Sequence, residues 1–354
     1  MLMNPLRTIK RSLLATRGLG LSPLVANSTW RGQRLLILCY HGISTGDEHA
    51  FQPEMFLPPE TFARRMEILK QLKCNVLALP EGLRLLEAGK LPPRSVSITF
   101  DDGWADFVNA YSILCKYGFP ATVYLTTYYC LFNRPIFQFA LGYMMWKRQE
   151  QAIDASAFPW LPPQLDLRTP AARAVLVRHI DDHARKHNLT GKQKDDLAGE
   201  FAALIGFDYG VFARERLLHL MTAAEVSEMS RGGVDFQLHT HRHRTPLDRE
   251  RFIAEIEQNR RLIQDMTNRT GGHVHFCYPS GANRPDFLTW LSEAGMHSAT
   301  TCIHGFSSRN TNPLLLPRLL DQYSLSEDEF EAWVTGFAAL MPKRKMISLD
   351  VAPE

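Results

Sequence analysis

The chain has 354 residues, of which 45% are apolar and 22% charged, and 40 basic against 37 acidic side chains give a net charge of +3. That balance excludes a disordered or fibrous chain and suits one large α/β barrel or two ordinary domains. So small a surplus also excludes the concentrated basic surface that a nucleic-acid partner demands. Six scattered cysteines (Cys39, Cys74, Cys115, Cys130, Cys277 and Cys302) form no CxxC pair, and several sit in apolar strand-like runs. They read as buried free thiols of a reducing compartment.

The first 30 residues form a basic N-terminal segment in which Arg7, Lys10 and Arg11 precede Ser12–Thr16. Arg17 interrupts what a secretory signal would keep apolar over about 7–15 residues, so a cytoplasmic location is expected and secretion is the weaker reading. The segment suits peripheral contact with anionic membrane lipid at the inner membrane, or a frayed helix without a partner. No run reaches the roughly 18 apolar residues that span a bilayer.

From residue 34 onward, apolar runs alternate with helical periodicity. Arg34–Tyr40 reads as a strand buried on both faces, Pro59–Leu72 as a helix, Asn75–Leu79 as a strand, Pro80–Ala88 as a helix and Ser95–Phe100 as a third strand. A helix over 105–117 and a strand at Ala121–Leu125 follow. Residues 131–218 break the rhythm as a largely helical insertion, with Thr169 and Thr190 as N-caps; a lid or substrate-binding subdomain is expected. Its aromatics Phe137, Phe139, Tyr143 and Trp146 suit either a membrane-facing patch or a satellite core. The alternation resumes with strands at Val234–Leu238, His273–Tyr278, Ser298–Ile303 and Leu314–Leu319 and helices at 248–266 and 285–294. Strand–helix alternation implies a parallel sheet, open or closed into a barrel. One domain therefore spans 31–340, and 341–354 is a tail.

Three clusters follow predicted strands. Asp101-Asp102-Gly103 ends SVSITF; alone, such a triplet is usually a turn. His239-Thr240-His241-Arg242-His243 ends VDFQL. On a helical turn His239 and His243 share a face and one ion; in an extended segment His241 could replace one of them. Tyr278-Pro279-Ser280-Gly281 ends HVHFCY, and Tyr278, Pro279 and Gly281 are assigned to substrate contact. A carboxylate and two imidazoles make a common three-ligand set for a catalytic divalent ion, and a neighbouring carboxylate supplies a base.

TFDDG, HTHRH and YPSG, in that order, resemble the first three motifs of the polysaccharide deacetylases, the NodB-homology group of carbohydrate esterases. The resemblance extends to YHGI at Tyr40–Ile43, YGFPATVYL at 117–125 and LPRL at 316–319. It implies a distorted (β/α) barrel of about seven strands with a helical insertion. It also implies Asp101 as catalytic base, and Asp102, His239 and His243 as ligands of a divalent metal, Zn²⁺ first with Ni²⁺ or Co²⁺ also accommodated. The implied reaction removes N-acetyl groups from an amino-sugar glycan. A lipid-linked sugar deacetylated or deformylated at the inner membrane face is the alternative, and a non-catalytic glycan-binding homologue the third reading. Two departures stand out. The family's third-motif Arg is replaced by Phe276-Cys277-Tyr278, so Arg318 of the last strand is expected to supply that charge. The Leu-x-His motif of the general acid is missing, leaving His304 and His41 as candidates.

Overall fold

In the computed structural model, residues 21–150, 152–156 and 158–340 are described. Arg7, Lys10 and Arg11 of the basic segment and the 341–354 tail lie outside them.

The central sheet is built from strands β1 (Leu36–Tyr40), β2 (Asn75–Val76), β3 (Ser95–Asp102), β4 (Thr122–Leu125), β5 (Asp235–Leu238), β6 (His275–Cys277), β7 (Ser298–Thr300) and β8 (Leu319–Leu320). The order is β7-β6-β5-β4-β3-β1-β8, with β2 paired to β3 off this path, and every pairing is parallel. Seven strands thus curl round as a barrel wall. A parallel bridge between Thr300 and Leu316, two residues ahead of Arg318, links the last strand's approach back to β7. The (β/α) barrel read from the sequence is the fold found.

Alternation along the strands sorts side chains into two layers. Leu36, Leu38 and Tyr40 of β1 join Phe100, Phe107, Val123 and Phe276 in the large core beneath the outer helices. Leu35, Ile37, Tyr124, Cys277 and Leu316 form the smaller cluster on the other side. Each fully buried leucine, isoleucine, valine or phenylalanine among them contributes about 1.5–3 kcal/mol. The expected second strand is shorter than Asn75–Leu79, because the backbone turns into a helix at Leu79 (Leu79–Ala88). The last is shorter than Leu314–Leu319, since Pro313–Leu315 forms a 3-10 turn.

The insertion is helical, with α1 (Phe137–Lys147), α2 (Pro170–Lys186), α3 (Gly191–Leu204) and the short α4 (Gly210–Glu215), plus a small hairpin at Ala152–Asp154 and Gln164–Asp166. Thr169 and Thr190 cap as expected, the latter in a capping box with Gln193. The insertion encloses its own core of Leu141, Tyr143, Met144, Ile180, Phe201 and Phe212, with Phe137, Phe139 and Trp146 packed against it. The aromatics therefore pack as a satellite core. Trp104 and Phe56, from the barrel part of the chain, belong to this second core, the indole ring lying 5.2 Å from Phe139 and 5.0 Å from Phe56. Among the described residues no helix is long and apolar enough to cross a membrane.

Asp106 follows Trp104 at the rim. It is buried near the still more deeply buried Glu48, and its Oδ1 has no hydrogen-bond partner. Burial, then the Glu48 charge, pushes its carboxyl up to about 8. The native state therefore holds a proton the unfolded chain has released, so this group's contribution is full below about pH 4 and is lost as pH rises towards 8. Asp106→Asn is expected to gain melting temperature over the wild type progressively between about pH 5 and 8 and no further above it, in a thermal-unfolding series across pH.

Candidate functional site

The strand β3 does not stop at Phe100 but runs through both carboxylates, so Asp101 lies on the same strand face as Thr99. Arg318 meets Asp101 with both arms of its guanidinium, Nη1 to Oδ1 at 2.7 Å and Nη2 to Oδ2 at 2.7 Å. Its Nε donates to the Thr301 carbonyl at 3.0 Å. Arg318 has no exposed surface, and Asp101 only 3%. Burial alone would raise the Asp101 carboxyl, but the guanidinium against it holds it well below the usual carboxylate range. Two thiols complete its surroundings, Cys277 Sγ at 3.3 Å and Cys39 Sγ at 3.6 Å from Oδ2. All six cysteines are free. The Nε2 of His41, on the YHGI strand exit, stands 3.9 Å from the same oxygen.

Asp102 leaves the strand with φ at +70°, and Gly103 follows at +87° with the Leu125 side chain where a Cβ would stand. A left-handed aspartate is an uncommon backbone state that surrounding structure must enforce. Here the turn aims Oδ1 at two imidazoles, the Nε2 atoms of His239 and His243, each 3.3 Å away. Oδ2 accepts from the Trp104 indole at 3.0 Å.

The HTHRH segment is not the helical turn expected from an i, i+4 pair. Thr240 and His243 both adopt positive φ, at 62° and 56°, and these two turns converge the side chains, whose ring centroids lie 4.9 Å apart. His239 Nδ1 lies 2.9 Å from the Cys277 carbonyl; donating there would leave Nε2 to offer its lone pair to an ion shared with Asp102. His241 points elsewhere, its Nδ1 on the Thr127 hydroxyl at 2.9 Å, and burial pushes it down to about 4. The reading in which His241 replaces a ligand is thus set aside by geometry. Asp102, His239 and His243 present ligand atoms all within 4.8 Å of one another, a one-carboxylate, two-imidazole set with second contacts already made, which fits a divalent ion.

Two sequence assignments fall away from this cluster. His304 is exposed and packs edge-on against Trp333, 5.8 Å between centroids, in a loop that turns back so that Ser307 pairs with Leu35 ahead of β1. It lies towards the N-terminal ends of the strands, because the loop reverses after Thr301. Tyr278 is fully buried and donates its hydroxyl to the Leu314 carbonyl at 3.0 Å; its ring belongs to the outer core, so it does not line the cleft. Pro279 and Gly281 do.

Sequence reasoning missed Asn259. Wholly buried, it accepts from the His239 backbone N–H at 3.0 Å and donates to the Leu125 carbonyl and the Thr127 hydroxyl. Its signal was there to read: a polar residue on the apolar stripe of Phe252, Ile256 and Ile263. Cys277 and Trp104 were equally unassigned, although each adjoins a motif.

A cleft of about 1450 Å³ opens over this cluster between the barrel and the insertion, walled by Asp102, Trp104 and His243 on one side, Phe137, Phe139 and Lys194 on another, and Pro279–Arg284 on a third. That volume accommodates several sugar rings.

A polysaccharide deacetylase family model matches residues 88–137 and 175–299, the two stretches that carry the DDG and HTHRH clusters. The YxkH protein of Bacillus subtilis is 34% identical over 99 residues, covering 27% of this chain and 33% of that protein. A poly-beta-1,6-N-acetyl-D-glucosamine N-deacetylase of Staphylococcus epidermidis is 39% identical over 69 residues, 19% of this chain and 24% of its own length. The aligned stretches thus span a third or less of these relatives. Among solved structures, the Streptococcus pyogenes deacetylase PplD in complex with acetate superposes with a TM-score of 0.54 at 18% identity, covering 88% of this chain and 99% of that one. IcaB from Ammonifex degensii gives 0.52 at 15% identity, over 86% and 98%. At these identities the structural likeness speaks for the fold.

Removing only the cationic half of the Arg318–Asp101 pair strands a buried charge. Arg318→Met is expected to cost about 3–5 kcal/mol in urea unfolding, whereas the double variant Arg318→Met/Asp101→Leu recovers most of that loss.

Proposed function

This chain carries a polysaccharide deacetylase domain and belongs to that family; from that premise we propose that it is a hydrolase removing N-acetyl groups from an amino-sugar-containing glycan. The observation that carries the reading is the pairing of two differently held carboxylates: Asp102 faces two imidazoles, while Asp101, one residue away, is clamped by Arg318 at a pair of 2.7 Å contacts. The relatives' names supply the substrate class, an N-acetylated glucosamine polymer in one case.

Asp102, His239 and His243 would hold the divalent ion, Zn²⁺ being the first choice for this donor set, and when bound it supplies a Lewis acid for the acyl carbonyl and the hydrolytic water. Asp101 is the base. Its charge is guaranteed by the guanidinium, and Arg318 holds both oxygens so that the carboxylate cannot rotate. Part exposed and 3.9 Å from the base, His41 is the group in reach to hand a proton to the departing sugar amine. His304 lies in the wrong place for that role. Pro279 and Gly281 shape the wall beside the reacting sugar; Gly281 has φ at +71°, and a Cβ there would stand 2.9 Å from Cys302 Sγ. A pure binding module would need no base beside its ion site, which favours catalysis.

Asp101→Asn is expected to lower kcat for acetate release from an N-acetylglucosamine oligomer about a thousandfold while leaving bound metal at wild-type levels. His239→Ala is expected to lose the ion as well as the activity, with both read by elemental analysis alongside the acetate assay. Full acetate release by the Asp101 variant, or full metal content in the His239 variant, would remove the corresponding assignment.

A further inference from the structure

The cleft is charged in an unexpected sense. Seven cationic side chains line it against four carboxylates, on a protein whose overall charge is nearly balanced. Asp102 belongs to the ligand set, Glu255 pairs with Arg242 at 2.8 Å, Asp181 pairs with Arg185 at 2.7 Å, and Asp195 accepts from the Tyr209 hydroxyl at 2.5 Å. Each acidic group on the wall is therefore already engaged. Arg134 and Lys194 are held differently: each lies over an aromatic ring, Arg134 5.8 Å from the Phe132 centroid and Lys194 5.7 Å from that of Phe137. Among the described residues neither has a carboxylate within ion-pair distance. They are also neighbours, since the Arg134 guanidinium lies against Gly191, one turn ahead of Lys194 on α3. A cation–π contact leaves most of the donors of a guanidinium or an ammonium available to a ligand.

The chemistry makes this arrangement a poor fit to a neutral glycan. Hydrolysis of each acetamide releases acetate and leaves an amine that is protonated at neutral pH, so a neutral polymer turns cationic as it is processed. A wall with surplus positive charge repels such a product. It attracts a substrate that carries its own anion.

Resting on the deacetylase reading, we infer that Arg134 and Lys194 form an anion subsite in the insertion wall, taking a phosphate or carboxylate group carried by the glycan beside the sugar that is deacetylated. Phosphate diesters and uronic acids share this chemistry, and an experiment can separate them. Three substrates are compared: a neutral N-acetylglucosamine oligomer, the same oligomer ending in a uronic acid, and the same oligomer bearing a methyl phosphodiester. The wild type is expected to favour at least one charged substrate about tenfold in kcat/KM at low salt, with the gap shrinking as ionic strength rises. In the Arg134→Gln/Lys194→Gln variant, shown to be folded by an unchanged melting profile, that ratio is expected to fall towards one. Preference for the phosphodiester alone assigns the subsite to phosphate, and preference for the uronate alone to an acidic polymer. Equal kcat/KM for all three substrates, or a preference untouched by the double substitution, overturns the inference. If no substrate releases acetate, the deacetylase reading fails by itself. Calorimetric binding of the same three oligomers to wild type and variant then decides the subsite separately, with equal affinities overturning it.

Discussion

Arg318 and Asp101 form a bidentate ion pair with almost no exposed surface, and the interior of the barrel is organised around it. Taking two charges out of water costs several kcal/mol per ion, which their attraction repays only when geometry is good and every remaining donor is matched. Here the matching is extensive. The Arg318 Nε reaches the Thr301 carbonyl, Nη1 also reaches the Thr99 hydroxyl, and the two thiols close the gaps. A leucine pair would fill that space at less cost. What the ion pair secures is a carboxylate that stays ionised and cannot turn.

Asp102 is held by a different device. The strand carries it in, two successive left-handed residues turn it out, and the Trp104 indole fixes the oxygen that the histidines do not face. Because the same indole packs on Phe139, the helical insertion and the candidate ion site share one side chain. Any displacement of the insertion therefore acts directly on Asp102. The insertion is thus a structural neighbour of the chemistry as well as a wall of the cleft.

Local sequence carried much of this. The order of strands and helices, the two threonine caps and the clusters after β3 and β5 were legible because alternation, capping and turn chemistry are short-range signals. What stayed hidden depended on three-dimensional closure. His304 and His41 looked equivalent, since only the reversal of the chain after Thr301 separates them. Tyr278 looked like a cleft residue because it adjoins Pro279, yet strand alternation sends it into the outer core. The HTHRH spacing suggested a helix, while two positive φ angles produce the same convergence from irregular backbone. Asn259 could have been found as the polar misfit on an apolar stripe. Arg318 was anticipated from a gap left by a missing arginine, and the structure sets it against Asp101.

The two members of the central ion pair stand 217 positions apart in the chain. Asp101 leaves the ribosome 217 residues ahead of Arg318, and its counterion arrives only when the segment that closes the barrel has been made. Until then the nascent fold holds a carboxylate in an apolar interior with nothing opposite it, so burial of that strand end is opposed. Maturation of the barrel is accordingly tied to synthesis of its last strand, and a product lacking that strand is disfavoured at the very residue on which turnover would depend.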